Sequence, residues 1–407
     1  MRRERMRPRP DWRATVEGQG LTYAVGRGEA GEQEPYWHEQ HAYVLDPTEV
    51  ELLEDATAEL HRMCVQAAHR MAEDPAVRRA LGLSDPAWEF VRADLAAAGA
   101  DGTGVPSLYG RFDLAWDGEG PPKLLEYNAD TPAGLVEAAV CQWYWLEDVH
   151  PHLDQWNQLH ERLVQAWQRL APGLRGGTVH LAVGQDEPDE DWATVEYLAE
   201  TAQEAGLRTQ GITMEAIGWH RGRRLFVDDA DAPVEACFKM YPWEWMLAED
   251  FAAQLPTAPT TWLEPPWKLL LGSKALLATL WEVFPGHPNL LPAYLDGPRD
   301  LRRHVSKPVF GWEGAGIEIS AGGAPVQLQT PGHTAGQARV WQEFVDLPSF
   351  DGARPVLGTW VVGGRPAGLG IRESDGLVTD THARFLPHVI DGPRSTPEQV
   401  ARWLRDG

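Results

Sequence analysis

Residues 111–132, RFDLAWDGEGPPKLLEYNADTP, gather many of the side chains in this sequence whose types and spacing could do chemistry. Two short β-like runs, RFDLAWD and KLLEYNAD, flank a Gly/Pro turn, EGPP. Glu126 and Asn128 are two residues apart, so on a strand they project from one face. Asp113 sits on the other arm of the hairpin, where cross-strand neighbours approach within a side-chain length. Two carboxylates and an amide converging this way suit Mg²⁺, which takes oxygen ligands and usually shares them with nucleotide phosphates. Arg111, two before Asp113, falls on the same face as a clamp for phosphate or carboxylate. A solvated hairpin would carry the same charges, and spacing alone leaves both readings open.

A second candidate is SKPVFGWEGAGIEI, where Lys307 closes a strand and Gly311, Gly314 and Gly316 follow in a loop. Glycines let backbone N–H groups approach phosphates, and a nearby ammonium neutralises them. Taken alone this pattern is equally a plain β-turn.

The phrase LLEYNADTP, with RFD upstream, resembles the synthetase domain of the glutathionylspermidine synthase family. Further segments agree in order: FKMYPWEWMLAEDF, EPPWKLLLGSKALLATLWEVFPGHPNLLPAY, SKPVFGWEGAGIEI, VWQEF and GLGIRESDGLVTD. They run from about Tyr36 to Ile390. The resemblance implies an ATP-grasp ligase that joins a carboxylate to an amine through an acyl phosphate, with ATP and Mg²⁺ as cofactors. Asp113, Glu126 and Asn128 would then hold Mg²⁺, and Lys274 and Lys307 would neutralise ATP oxygens under the Gly311–Gly316 loop. Glu343 would sit by the adenine or ribose, with the backbone of Phe344 and Val345 reading the adenine edge. Arg372 would lie over the transferring phosphoryl group, and Arg111, Thr131 and Glu244 would meet the acyl substrate. Glu373 and Asp375 read as solvated loop charges, and His382 and His388 as structural. The chain departs from the family at Ala133, where a small hydroxyl is expected, and at Trp312, where an arginine reaches glutathione. These departures imply a changed acyl pocket, and the resemblance implies a stand-alone member without the N-terminal amidase domain found in some bifunctional members. The same chemistry on another carboxylate and small amine, or a nucleotide-binding protein without catalysis, are the alternatives.

The elements that would position these groups fit an α+β or α/β fold with an ATP-grasp-like lobe, a pre-ATP-grasp α/β subdomain and a helical N-terminal part. Residues 1–35 are expected to be poorly ordered. Residues 36–176 would carry the hairpin and long helices, over Asp46–Met71, Gly134–Glu147 and His152–Leu170. Residues 177–260 read as βαβ units with a small parallel sheet, joined by RRLFVDD and VEACFKMY. Residues 261–407 alternate a helix over Ser273–Val283 with several strands and end in a short helix, STPEQVARWLRD.

Composition sets outer bounds. At 407 residues and 43% hydrophobic residues the chain can bury a large core. A net charge of −24 argues against a nucleic-acid partner and is compatible with cationic substrates. Cys64, Cys141 and Cys237 are widely spaced, as expected for buried small residues in a reducing compartment. No leader-like apolar run follows the basic N-terminus, and the leucine-rich Trp267–Phe284 is too polar to span a bilayer. A cytoplasmic enzyme of small-molecule carboxylate and amine substrates is the resulting expectation, with the oligomeric state left open.

Overall fold

A computed structural model describes residues 1–27, 33–186, 189–321, 326–330, 336–392, 394–396 and 398–399. The expected C-terminal helix falls mostly outside them.

The site face is set by one central strand. Tyr109–Ala115 is buried along its whole length, which requires cover on both sides. Phe112 and Leu114 turn to the core that contains the helix Pro47–Ala72. Phe112 stacks on Tyr127 with ring centroids 3.9 Å apart. Strand alternation therefore sends Arg111 and Asp113 to the opposite face. The hairpin register pairs Arg111 with Asn128 and Asp113 with Glu126, bringing all four onto that face.

The covering helix begins with a capping box: Glu49 N–H donates to Asp46 at 2.9 Å, and Asp46 N–H donates to Glu49 at 2.8 Å. Ser84 and Asp74 cap two further helices, Asp85–Ala98 and Pro75–Leu81.

The hairpin is not confined to an N-terminal unit, as the expected boundaries would have it. Tyr109–Ala115 pairs antiparallel with Arg354–Val362, extending to Arg365–Ser374 and Arg384–Leu386 in one five-stranded sheet. A second antiparallel five-stranded sheet runs in the order Ala293–Tyr294, Arg339–Glu343, Arg303–Pro308, Glu318–Ala321, Val326–Gln329. The main cleft lies between these two sheets. The expected parallel sheet is present, ordered Thr261–Leu263, Ala236–Met240, Thr178–Val183, Arg208–Thr213. RRLFVDD contributes only Leu225–Val227, and that strand pairs in a separate ribbon with Gly218–His220.

Other expectations need correction. Residues 1–35 do not begin as a loose tail: Arg2–Arg5 pairs with His41–Leu45, which also pairs with His388–Ile390. Long-range pairing supplies the order that local pattern lacks. The helix expected over Gly134–Glu147 is a π turn, Glu137–Cys141, leading into Gln142–Val149. The helix expected from His152 starts at Leu159, because Asp154 and Asn157 first form bridges to Ile390 and Gly368. Glu373 is fully buried on a strand, not a solvated loop charge. His388 is buried between Gln142, at 2.9 Å, and the Trp156 N–H, at 3.1 Å, as a structural histidine would be. All three cysteines are free and buried. Among the described residues no helix is long and apolar enough to cross a membrane.

Candidate active site

Asp113 is gripped by two guanidiniums. Arg111 Nε donates to its Oδ1 at 2.7 Å, and Arg372 Nη2 donates to its Oδ2 at 2.7 Å. Arg111 also donates to the Ala133 carbonyl, which ties the hairpin to the turn that follows it. Burial penalises the charge on Arg111, but Asp113 outweighs that and holds its pKa above the ordinary arginine value.

Glu126, directly across from Asp113, takes a different cation: Lys274 Nζ lies 3.1 Å away. Lys274 precedes the helix Ala275–Val283 and also donates to the Gly311 carbonyl at 2.6 Å, so it links the hairpin to the glycine loop. Burial pushes the Glu126 carboxyl up, but Lys274 and Lys307 pull it down to about 2. Lys307 donates to the Leu125 carbonyl and to Gln342 Oε1, each at 2.9 Å. Burial, offset in part by Glu126, lowers the Lys307 ammonium to about 8.

The donor set on this face of the hairpin is all oxygen. Asn128 Nδ2 faces Glu126 at 3.3 Å, which leaves its amide oxygen as a donor beside two carboxylates. These are hard oxygen ligands of the kind Mg²⁺ takes. Among the described residues no three His, Cys, Asp or Glu side chains cluster to hold a metal, so the fit rests on two carboxylates and one amide.

The cleft lined by these groups, counted with its open mouth, holds about 1010 Å³, enough for a nucleotide-sized ligand. Glu343, Phe344 and Val345 line it, as does Gly314 of the glycine loop. Gly314 and Gly316 both adopt left-handed φ, +71° and +66°. A Cβ on Gly314 would come within 2.7 Å of Val378 Cγ1, so the loop can pack against that segment only without a side chain there.

The expected acyl contacts divide between two smaller cavities. Thr131 and Glu244 line one, together with Lys274 and Trp312. Arg111 instead lines the other, with Arg372, Tyr23, Glu190, Glu313 and Asp380. The first cavity shares Asn128 with the cleft and the second shares Arg111. Because Arg111 and Asn128 are cross-strand partners, three cavities converge on one rung of the hairpin.

Sequence reasoning missed several residues here. Gln342 accepts from Lys307 and donates to the Leu124 carbonyl at 2.9 Å, fixing the ammonium between two sheets. Asp130 pairs with Lys239 at 2.7 Å and accepts from the Trp243 N–H at 2.8 Å, anchoring the segment that bears Glu244. Glu190 borders the acidic cavity, although DEDW reads as an ordinary solvated helix start. Buried Glu137 accepts from Tyr23 at 3.1 Å and Tyr36 at 2.7 Å. The acidic run was a sequence signal for Glu190, and Glu137 had none.

A model of the glutathionylspermidine synthase pre-ATP-grasp family matches residues 3–391. The chain belongs to that family. It is 39% identical over 369 residues to an uncharacterised acid–amine ligase of Haemophilus influenzae, covering 87% of this chain and 90% of that protein. Trypanothione synthetase of Crithidia fasciculata is 27% identical, with 68% of this chain and 46% of that one covered. The bifunctional glutathionylspermidine synthetase/amidase of Escherichia coli is 25% identical, with 90% and 61% covered. The chain thus spans less than two thirds of the length of each of these two longer relatives. A glutathione synthetase-like effector from Globodera pallida shares the fold, with TM-score 0.56, 10% identity, and coverage of 95% of this chain and 100% of that one.

Proposed function

We propose that this family member activates a small carboxylic acid with Mg·ATP and transfers its acyl group to an amine. The family and the named relatives make it an ATP-dependent ligase of the glutathionylspermidine synthase type. The observation that carries the reading is the convergence of three cavities on the Arg111–Asn128 rung. ATP would occupy the cleft, the acid the cavity of Thr131 and Glu244, and the amine the acidic cavity of Glu190 and Asp380.

Lys274 and Lys307 bind and orient the phosphates, and the Glu343–Val345 segment receives the base. Asp113, Glu126 and Asn128 would hold Mg²⁺, which screens charge on the phosphate oxygens. A carboxylate oxygen attacks the γ-phosphorus and ADP leaves. Arg111 and Arg372, fixed by Asp113, stand where charge develops on the phosphoryl oxygens. The amine nitrogen then attacks the acyl carbon, phosphate departs, and the nitrogen loses a proton as the amide forms. No enzyme nucleophile takes part, so positioning and electrostatics supply the rate.

The test is ADP release from Mg·ATP with acid and amine separately and together, using Asp113→Asn as the blank. Turnover that needs both substrates and vanishes in the variant supports the ligase. ATP binding without ADP release from any acid sinks it.

A further inference from the structure

The cavity beside the glycine loop carries its own record of what enters it. Trp312, on the loop, meets Trp245 edge to face, with centroids 5.2 Å apart at 71°. Trp245 meets Tyr241 in the same manner, at 5.4 Å and 77°. Trp312 and Trp245 remain 44% and 37% exposed, so this pair stands at a rim rather than in a core. Below it the charges are already matched, with one exception. Lys274 is held by Glu126 and the Gly311 carbonyl, and Asp130 is held by Lys239. Glu244 lines the cavity, and among the described residues no cation forms an ion pair with it.

We propose that the acyl donor is a small acid bearing an ammonium group at its far end, an amino acid rather than a tripeptide, with that ammonium between Glu244 and the Trp312 ring. This rests on the ligase reading and names the substrate class of its acyl site. Three features support it. An ammonium supplies the counter-charge that Glu244 lacks, and an indole face attracts the same cation. A second carboxylate would meet only lysines already engaged, and Glu244 would repel it. A plain apolar acid would leave Glu244 facing hydrocarbon. In size this cavity is the smaller of the two, about 450 Å³ against about 1010 Å³ for the cleft, each counted with its open mouth.

Hydroxylamine tests the acyl site without knowledge of the amine, because it traps an acyl phosphate as a hydroxamate. The acids would be β-alanine, γ-aminobutyrate, butyrate, glutarate and glutathione, each with Mg·ATP. The proposal expects hydroxamate and ADP from the amino acids, with KM at least about tenfold below that of butyrate, equivalent to one cation–π or charge-assisted contact. Glu244→Gln should erase that preference and leave the KM for ATP unchanged. Trp312→Leu should weaken it. Preference for glutarate or glutathione overturns the proposal while leaving the ligase intact. If no acid gives ADP, the ligase reading fails, and calorimetry on the Mg·ADP-loaded protein decides the cavity separately. Tighter binding of γ-aminobutyrate than of butyrate or glutarate, lost in Glu244→Gln, then supports the site, and equal or absent binding overturns it.

Discussion

Asp113 and Glu126 face each other across the hairpin yet, among the described residues, have no ion-pairing cation in common. Arg111 and Arg372 hold the first at 2.7 Å each, and Lys274 holds the second at 3.1 Å. Two like charges on one rung would repel; here each has its own counter-ion from a different part of the chain. Asp113→Asn therefore leaves the buried Arg111 without its partner, at a cost of about 3 kcal/mol in stability. Denaturant unfolding should show that loss along with loss of ADP release, and an unchanged midpoint would contradict the pairing.

Arg372 is more exposed than Arg111 and reaches Asp113 through a single nitrogen. Arg372→Lys should fold normally but lower kcat by roughly 10²-fold, the scale for removing one donor aimed at developing charge. Steady-state kinetics with KM for ATP near the parent value would separate this from a folding defect.

Gln342→Met removes the bond Gln342 accepts from Lys307 and the one it donates to the Leu124 carbonyl while keeping the volume, and leaves Lys307 only its bond to the Leu125 carbonyl. The loss should raise the KM for ATP by about tenfold, as for about 1.4 kcal/mol of lost positioning. A parent-like KM would show that Lys307 holds its place without Gln342.

Burial raises the Glu190 carboxyl from 4.5 to about 8, aided by Glu137, Asp191 and Glu313 against the opposing pull of Arg372. A folded-state pKa above the unfolded one means stability that is full below about 4.5 and is lost as pH climbs to about 8. Glu190→Gln escapes that loss, so its Tm relative to the parent should rise steadily between these limits. A pH-independent difference would remove Glu190 from the list of strained charges.

The hairpin and the glycine loop were legible because their signals are local: alternation, a Gly/Pro turn, and glycines at close spacing. Lys307 stood out beside the glycine loop, whereas Lys274 was found through ordered resemblance rather than spacing. What stayed hidden depends on distant partners. Glu373 sits beside Ser374, Asp375 and Gly376 and so reads as a turn charge, yet Arg3 grips it from 370 residues away, both oxygens at 2.9 Å. Gln342 looks like any strand glutamine until the sheets meet. The carboxylates of the acidic cavity, Glu190, Glu313 and Asp380, come from three separate stretches.

The pairing of Tyr109–Ala115 with Arg354–Val362 also bears on how the protein is made. A ribosome adding about 5–20 residues a second needs on the order of tens of seconds between the two strands. Throughout that interval the hairpin waits with a bare edge, open to the wrong partner. A nascent chain halted before residue 354 already contains Asp113 but lacks both the strand that pairs beside it and the Arg372 that grips it. The two-guanidinium grip on Asp113 is therefore completed only late in synthesis.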